Sequence, residues 1–405
     1  MLIKNCRLVD RPDEFFDVSI DREVITSIVV AKKSLDDAPS KQIVDAKGAL
    51  LTSSLAEPHA HLDKAFLSER ISNPTGDLMG AINAMESGRD QITVDDTIAR
   101  AERAVRLMVS NGVTAIRTHA DVTEWNSLDS IDALLEVRNR TREIVEIQIV
   151  ALLGWPLSGD QGVKNLALGR KAISLGADIL GGCPHLDVDP VGANIALLQL
   201  ASELGCGLDL HTDEHTDAHR VSLEDLAERV VATNFAHSVT ASHCVSLGMQ
   251  TEDAQQRISE KVALANIGVV ALPHTNLFLQ GRDKSTAPPR GLTAISNLRI
   301  AGVRVAAGAD NLQDPFNPLG SGDPLETAAL MVLAAHQLPD DAFDAISNTA
   351  KSVIGTAQSH LKIGDRADLM LTQANSLREA IANRSARSMV MYRGRLTHLT
   401  NNQPK

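Results

Sequence analysis

Histidines and carboxylates fall in this chain where they could hold a metal ion and move protons. The run Glu57-Pro58-His59-Ala60-His61-Leu62-Asp63-Lys64 contains an H-x-H pair. Side chains alternate along an extended strand, so both imidazoles point to one side. Two convergent imidazoles suit Zn or Fe(II). His211, in His211-Thr212-Asp213-Glu214, can add a third nitrogen, and Asp310, in Gly308-Ala309-Asp310-Asn311, an oxygen. Two or three histidines with one carboxylate leave a position for water, which is a catalytic rather than a structural arrangement. Glu214 could stand over a substrate held there and move protons. His243 follows the β-rich run Val239–Ser242. His119 and His185 are candidates for hydrogen-bonding a ligand or lining the cleft. His274, beside Pro273, reads as a loop-shaping residue. Cys183-Pro184-His185 could bind a metal, but the set above already has enough ligands. Taken singly, each of these residues would be read as a core or surface side chain; their shared placement carries the inference.

That placement follows from the elements. Between about residues 50 and 357 a helical stretch repeatedly ends in glycine and a β-branched run follows, at Gly112, Gly176, Gly205, Gly268 and Gly302. Glycine fits the left-handed position that closes a helix. The spacings of 64, 29, 63 and 34 residues fit a unit of roughly 32 residues, the size of a βα repeat. Eight strands are expected: Ala49–Ser53, Thr114–Thr118, Ile147–Leu153, Asp178–Gly181, Gly207–Leu210, Val239–Ser242, Val269–Leu272 and Arg304–Ala307. Helices such as Asp95–Ser110, Ile131–Ile144 and Val191–Leu204 lie between them. This pattern predicts an α/β fold, a (β/α)8 TIM barrel over 51–357, with a doubly wound sheet as the runner-up. Short strands at both ends (1–50 and 358–405) predict a small β-sandwich domain formed by both chain termini. A barrel gathers its chemistry at the C-terminal ends of its strands, where His59, His61, His119, His185, His211, His243, His274 and Asp310 fall.

Composition narrows the partners. The chain has 405 residues, 43% hydrophobic and 22% charged, enough for a sizeable core. A net charge of −12 argues against nucleic acid or an anionic membrane. Thirteen histidines outnumber ten aromatic residues, which favours acid–base or metal chemistry over base stacking. Five of those aromatics, Phe66, Trp125, Trp155, Phe278 and Phe316, follow expected strands and suggest pocket walls for a ring. Cys6, Cys183, Cys206 and Cys244 form no C-x-x-C pair, so reduced thiols in a cytoplasm are expected. No signal peptide and no membrane span are read.

Together these residues resemble the amidohydrolase superfamily: H-x-H after the first barrel strand, His after the fifth and sixth, Asp after the eighth. Within it the chain is similar to the cytosine deaminase-like branch, which includes triazine-ring aminohydrolases. The similar stretches are Glu57–Asp63, Arg117-Thr118-His119, Asp213-Glu214, Val239–His243, Asn276–Arg282 and Asp314-Pro315-Phe316-Asn317-Pro318-Leu319-Gly320. The resemblance implies that His59, His61, His211 and Asp310 hold one divalent metal ion (Zn or Fe). It implies Glu214 as proton shuttle and His243 as a residue that assists the metal-bound water. The implied reaction is hydrolytic deamination of a small nitrogen-containing ring, a cyclic amidine of pyrimidine, triazine or creatinine type, with release of ammonia. A cyclic amide or an N-alkylamino ring as substrate, and a non-catalytic ligand binder, are the alternatives. The fourth strand ends Gly181-Gly182-Cys183-Pro184 without a lysine to bridge two metals, which favours one. Similar proteins are often homo-oligomers.

The chain also departs from that branch. Leu157 stands where the branch carries a glutamine that reads the pyrimidine's amide edge. Phe316 replaces a substrate-packing tryptophan, and Lys64 replaces a threonine. Trp155, Leu157 and Phe316 are therefore the expected substrate-binding positions, and cytosine itself is disfavoured, because a missing pairing costs orders of magnitude.

Overall fold

The computed structural model describes residues 1–31 and 42–400. Residues 32–41 and 401–405, parts of the expected terminal segments 1–50 and 358–405, lie outside the described residues. The strands, in chain order, are β1 (Leu2–Leu8), β2 (Arg11–Asp21), β3 (Val24–Val30), β4 (Ile43–Asp45), β5 (Leu50–Ser53), β6 (Leu55–Ala60), β7 (Val113–Val122), β8 (Glu146–Leu153), β9 (Ile179–Gly182), β10 (Gly207–Thr212), β11 (Val239–His243), β12 (Gly268–Ala271), β13 (Val305–Ala307), β14 (Leu369–Thr372), β15 (Arg387–Tyr392) and β16 (Arg395–Leu399).

Strands β6 to β13 form one parallel eight-stranded sheet in sequence order, with helices on its outside, as the βα beat predicts. Parallel strands buried on both faces read as apolar runs, and Ile149–Leu153 and Val269–Ala271 do. The sheet curls until β13 meets β6. The seam there is short: Asp310 N–H donates to the His59 carbonyl at 3.0 Å and His61 N–H to the Asp310 carbonyl at 3.2 Å. Lower down, Ala309 N–H bonds the Glu57 carboxylate at 3.0 Å, and Ala56 N–H bonds the Ile346 carbonyl instead of a strand.

The two ends of the chain share a second sheet, in the order β16-β15-β14-β5-β1-β2-β3 with β4 beside β1. It has its own core around Ile3, Phe16, Leu51, Leu369 and Met391. Arg387 links the two parts: its Nε donates to the Asn111 carbonyl at 3.0 Å, and its guanidinium pairs with Asp323.

One expected strand moves. Ala49–Ser53, read as the first barrel strand, contains β5 (Leu50–Ser53), which pairs with β1 and β14 in the terminal sheet. The chain crosses between sheets at Ser54, and the barrel's first strand is Leu55–Ala60. Glu57-Pro58 disguises that strand, since acidic residues and proline are depleted in sheets. Here Glu57 is consumed by the seam, and the ladder to β7 skips from Glu57 to Ala60, around Pro58. The helix-closing glycine rule holds at Gly205 (φ 67°) but not at Gly268, where Asn266 takes the left-handed position (φ 52°) and Gly268 opens β12.

Candidate active site

The C-terminal rim of the barrel brings the expected ligands together. Nε2 of His211 lies 3.2 Å from Nε2 of His59 and 3.1 Å from Nε2 of His61. Asp310 Oδ1 lies 3.3 Å from His61 Nε2 and 3.5 Å from His59 Nε2. All four side chains are buried. Burial, with neighbouring imidazoles, drives His59 and His211 well below the usual histidine range, and burial with the Lys64 charge lowers His61 to about 4. These rings are neutral and offer lone pairs. Neither Asp310 oxygen makes a well-aligned hydrogen bond. Nitrogens bound tetrahedrally at about 2.0–2.1 Å from a Zn ion stand roughly 3.3 Å apart. Three facing imidazoles and an unsatisfied carboxylate therefore fit a cation better than they fit one another.

His119 and His243 adjoin this group. His119 stacks on His59 with ring centroids 3.9 Å apart, its Nε2 3.3 Å from Asp209 Oδ1. With His59 and His211 it makes a second close trio of potential ligand atoms. His243 Nδ1 lies 3.0 Å from Asn276 Oδ1 and 3.6 Å from Glu214 Oε1, while its Nε2 is 3.9 Å from Asp310 Oδ2. His243 and Asp310 hold φ of 67° and 66°, conformations that non-glycine residues keep where the surroundings over-determine them. Glu214 is fixed by its loop: Asp213 accepts from the Ser222 and Leu223 amides, and Gln280 bonds the Glu214 carbonyl. Burial pushes the Glu214 carboxyl up to about 7; His243 opposes the rise and Asp310 adds to it.

A cavity opens over the group. His61, His211, Glu214, His243 and Asp310 form its floor, and Trp125, Trp155 and Phe316 its aromatic walls. Leu78, Ile82 and Met85, on helix Leu78–Gly88, form an apolar wall from a segment in which the sequence shows no clear element. Other expected site residues lie elsewhere. Leu157 is buried outside the cavity lining, its amide held by Asp187 at 2.6 Å; Leu152, Leu153 and Gly154 take that stretch of wall. His185 is buried behind the floor with Nδ1 3.0 Å from the His211 carbonyl. Phe66 and Phe278 stack under Arg103 and Arg282. Cys183 lines the cavity, but no potential metal cluster among the described residues includes it.

A support layer beneath the floor escaped the sequence reading. His59 Nδ1 lies 2.9 Å from Ser242 Oγ, which donates to Asp209 Oδ1 at 3.2 Å. Arg117 holds the other Asp209 oxygen at 2.9 Å and is anchored by Gln148 and the Ile354 carbonyl. Strand periodicity offered the missing signal: Asp209 lies two residues before His211 and shares its face.

Comparison with known proteins agrees with this geometry. An amidohydrolase family model matches residues 72–398. A pterin deaminase from Rhizobium rhizogenes is 31% identical over 357 residues, covering 87% of this chain and 81% of the relative. The N-isopropylammelide isopropylaminohydrolase of Burkholderia multivorans is 31% identical with a TM-score of 0.83, over 98% of this chain and 97% of that one. The 5-methylcytosine deaminase of Klebsiella pneumoniae, solved with 5-fluorocytosine, is 28% identical with a TM-score of 0.89, over 100% of this chain and 99% of that one. With that match and these relatives, the chain belongs to the amidohydrolase family, metal-dependent hydrolases of carbon–nitrogen bonds.

Proposed function

We propose that this protein is a mononuclear hydrolytic deaminase of an amino-substituted nitrogen ring. The observation that carries the reading is Glu214, a buried carboxyl raised to about 7 beside His243 and the His59/His61/His211/Asp310 group, at the floor of a ring-walled cavity. Those four residues would hold the ion, Zn or Fe(II). The ion would supply Lewis acidity and hydroxide near neutral pH.

The protein's own groups do the rest. Trp125, Trp155 and Phe316 enclose the planar ring and exclude water. Water adds to the amino-bearing carbon, and Glu214 carries its proton to the adjacent ring nitrogen. That relieves the charge that builds there. A proton then passes to the amino group, the C–N bond breaks, and ammonia leaves a ring carbonyl behind. His243, held by Asn276 at 3.0 Å, stands beside Asp310 and orients the adding water, whose proton Glu214 takes. The barrel strands β6 to β13 carry the site, and the terminal sheet completes the fold beside them.

The pterin, cytosine and ammelide rings of the relatives define the screen. Metal-loaded wild-type protein releases ammonia from at least one amino ring of these classes. Glu214→Gln lowers that turnover roughly 10²–10⁴-fold while its metal content stays at the wild-type level. Full turnover by Glu214→Gln would refute the shuttle role. The apolar wall Leu78, Ile82 and Met85 favours a second reading, in which an N-alkyl group lies there and an alkylamine leaves; product analysis separates the two.

A further inference from the structure

A second cavity adjoins the first and shares five residues with it: Glu86, Thr123, Trp125, Gly154 and Trp155. A ring on the floor of the first cavity has the second beyond the tryptophans. The rest of its lining includes Glu124, Asp160, Gln161 and Lys164, all exposed, so it lies on the solvent side of that wall. Its walls come from the ends of two barrel strands. Thr123, Glu124 and Trp125 follow β7, Gly154, Trp155 and Pro156 follow β8, and Lys164 and Asn165 belong to the helix Val163–Leu175. Glu86 comes from the helix Leu78–Gly88.

The second cavity differs from the first in chemistry. It carries three carboxylates, of Glu86, Glu124 and Asp160, against one cation, Lys164. Lys164 Nζ lies 3.7 Å from Glu124 Oε1, and Glu86 and Asp160 have no ion-pair partner among the described residues. Exposed carboxylates alone make only a solvated surface. Asn165 is different: it is 4% exposed, and its Nδ2 donates to the Pro156 carbonyl at 2.9 Å. Its Oδ1, the other end of the same amide, has no partner among the described residues. A buried amide oxygen left open in a cavity wall calls for a donor. Indole attracts cations more strongly than the other aromatic side chains do. Carboxylates, an open amide oxygen and two indoles together suit an ammonium, which brings three donors and a positive charge. An anionic group would meet repulsion from Glu86 and Asp160.

We infer that the second cavity is a subsite for an alkylammonium group carried by the substrate ring, bound by Glu86, Asp160 and Asn165 beside Trp125 and Trp155. The inference rests on the deaminase reading for the ring and extends the substrate class to an amino ring with a short cationic arm. The arm takes no part in the bond changes. It contributes affinity and disfavours analogues whose arm is a carboxylate.

Trp125 and Trp155 are the two tryptophans of the chain and line both cavities, so intrinsic fluorescence reports binding there. Metal-loaded protein is titrated at neutral pH with phenethylammonium and with 2-phenylethanol, which share a skeleton and differ in the terminal group. Wild type binds the ammonium at least about tenfold more tightly, and the preference shrinks as salt is added. The double variant Glu86→Gln/Asp160→Asn brings the two affinities within about twofold, with unchanged metal content and melting temperature. Equal affinities in wild type, or a preference that survives the double variant or is indifferent to salt, overturn the inference. Ammonia release is followed in parallel on aminomethyl and hydroxymethyl derivatives of the screened rings, 6-aminomethylpterin and 6-hydroxymethylpterin among them. The aminomethyl ring of a pair that turns over has the lower KM, and the double variant removes the difference. Equal KM values beside an ammonium preference in binding would assign the ammonium to a separate ligand and overturn its place on the substrate. Ammonium preference without release from any ring sinks the deaminase reading alone, and release without ammonium preference sinks this inference alone.

Discussion

At the scale of single residues, the histidines were legible because their type is rare and their chemistry narrow. His59, His61 and His211 meet at 3.1–3.2 Å as their strand-end positions imply. Ser242 and Asp209 were not, because a serine and an aspartate inside a strand look like any other polar residue. Yet they orient His59, and such outer partners typically govern metal affinity tenfold to a hundredfold. Ser242→Ala is expected to weaken metal binding by that factor, measured by competition with a coloured chelator; unchanged affinity would remove Ser242 from the support layer. Glu214 gives a pH signature. Its folded value, about 7, lies above its ordinary 4.5, so the folded protein holds this proton more tightly than the unfolded one. Its contribution to stability is complete below about pH 4.5 and is lost as pH rises through 7. In chelated protein, Glu214→Gln should therefore gain on wild type between those pH values, by on the order of 3 kcal/mol above pH 7. Melting curves across that range check it, and a gap independent of pH would contradict it.

At the scale of elements, the βα beat was readable because helix-closing glycines and apolar runs are local signals. The first barrel strand was misplaced by one element because Glu57 serves the seam and the ladder breaks register around Pro58. Helix Leu78–Gly88 was missed for a related reason: it covers a cavity, with only Ala81, Met85 and Gly88 buried. The glycine pair ending β9 has a packing cause. A Cβ on Gly181 would stand 2.7 Å from Val150 Cγ1 and 2.9 Å from the Asp209 carbonyl, inside the barrel. Gly181→Ala should cost about 1–3 kcal/mol in denaturant unfolding. A neutral result would show that the barrel interior yields there.

At the scale of the whole molecule, the terminal sheet was foreseen from strands at both ends, but its tie to the barrel was not. That tie is tertiary: Arg387 reaches the Asn111 carbonyl and the carboxylate of Asp323, which caps the helix Pro324–Leu333. No periodicity announces it. Arg387→Ala leaves Asp323 unpaired and should lower stability by about 3–5 kcal/mol, with sheet and barrel still melting in one calorimetric transition. Two separated transitions would show that the parts fold independently.

The seam between β6 and β13 has a consequence in time. His59 and His61 come from the first barrel strand and its end, and Asp310 from the end of the last, so the backbone bonds that close the barrel are made by the proposed ligands themselves. Contacts so distant along the chain form late, after the loop between them has closed. A nascent chain therefore carries no finished donor set until the last strand has been made and docked. The full set of ligands becomes available only when the barrel does.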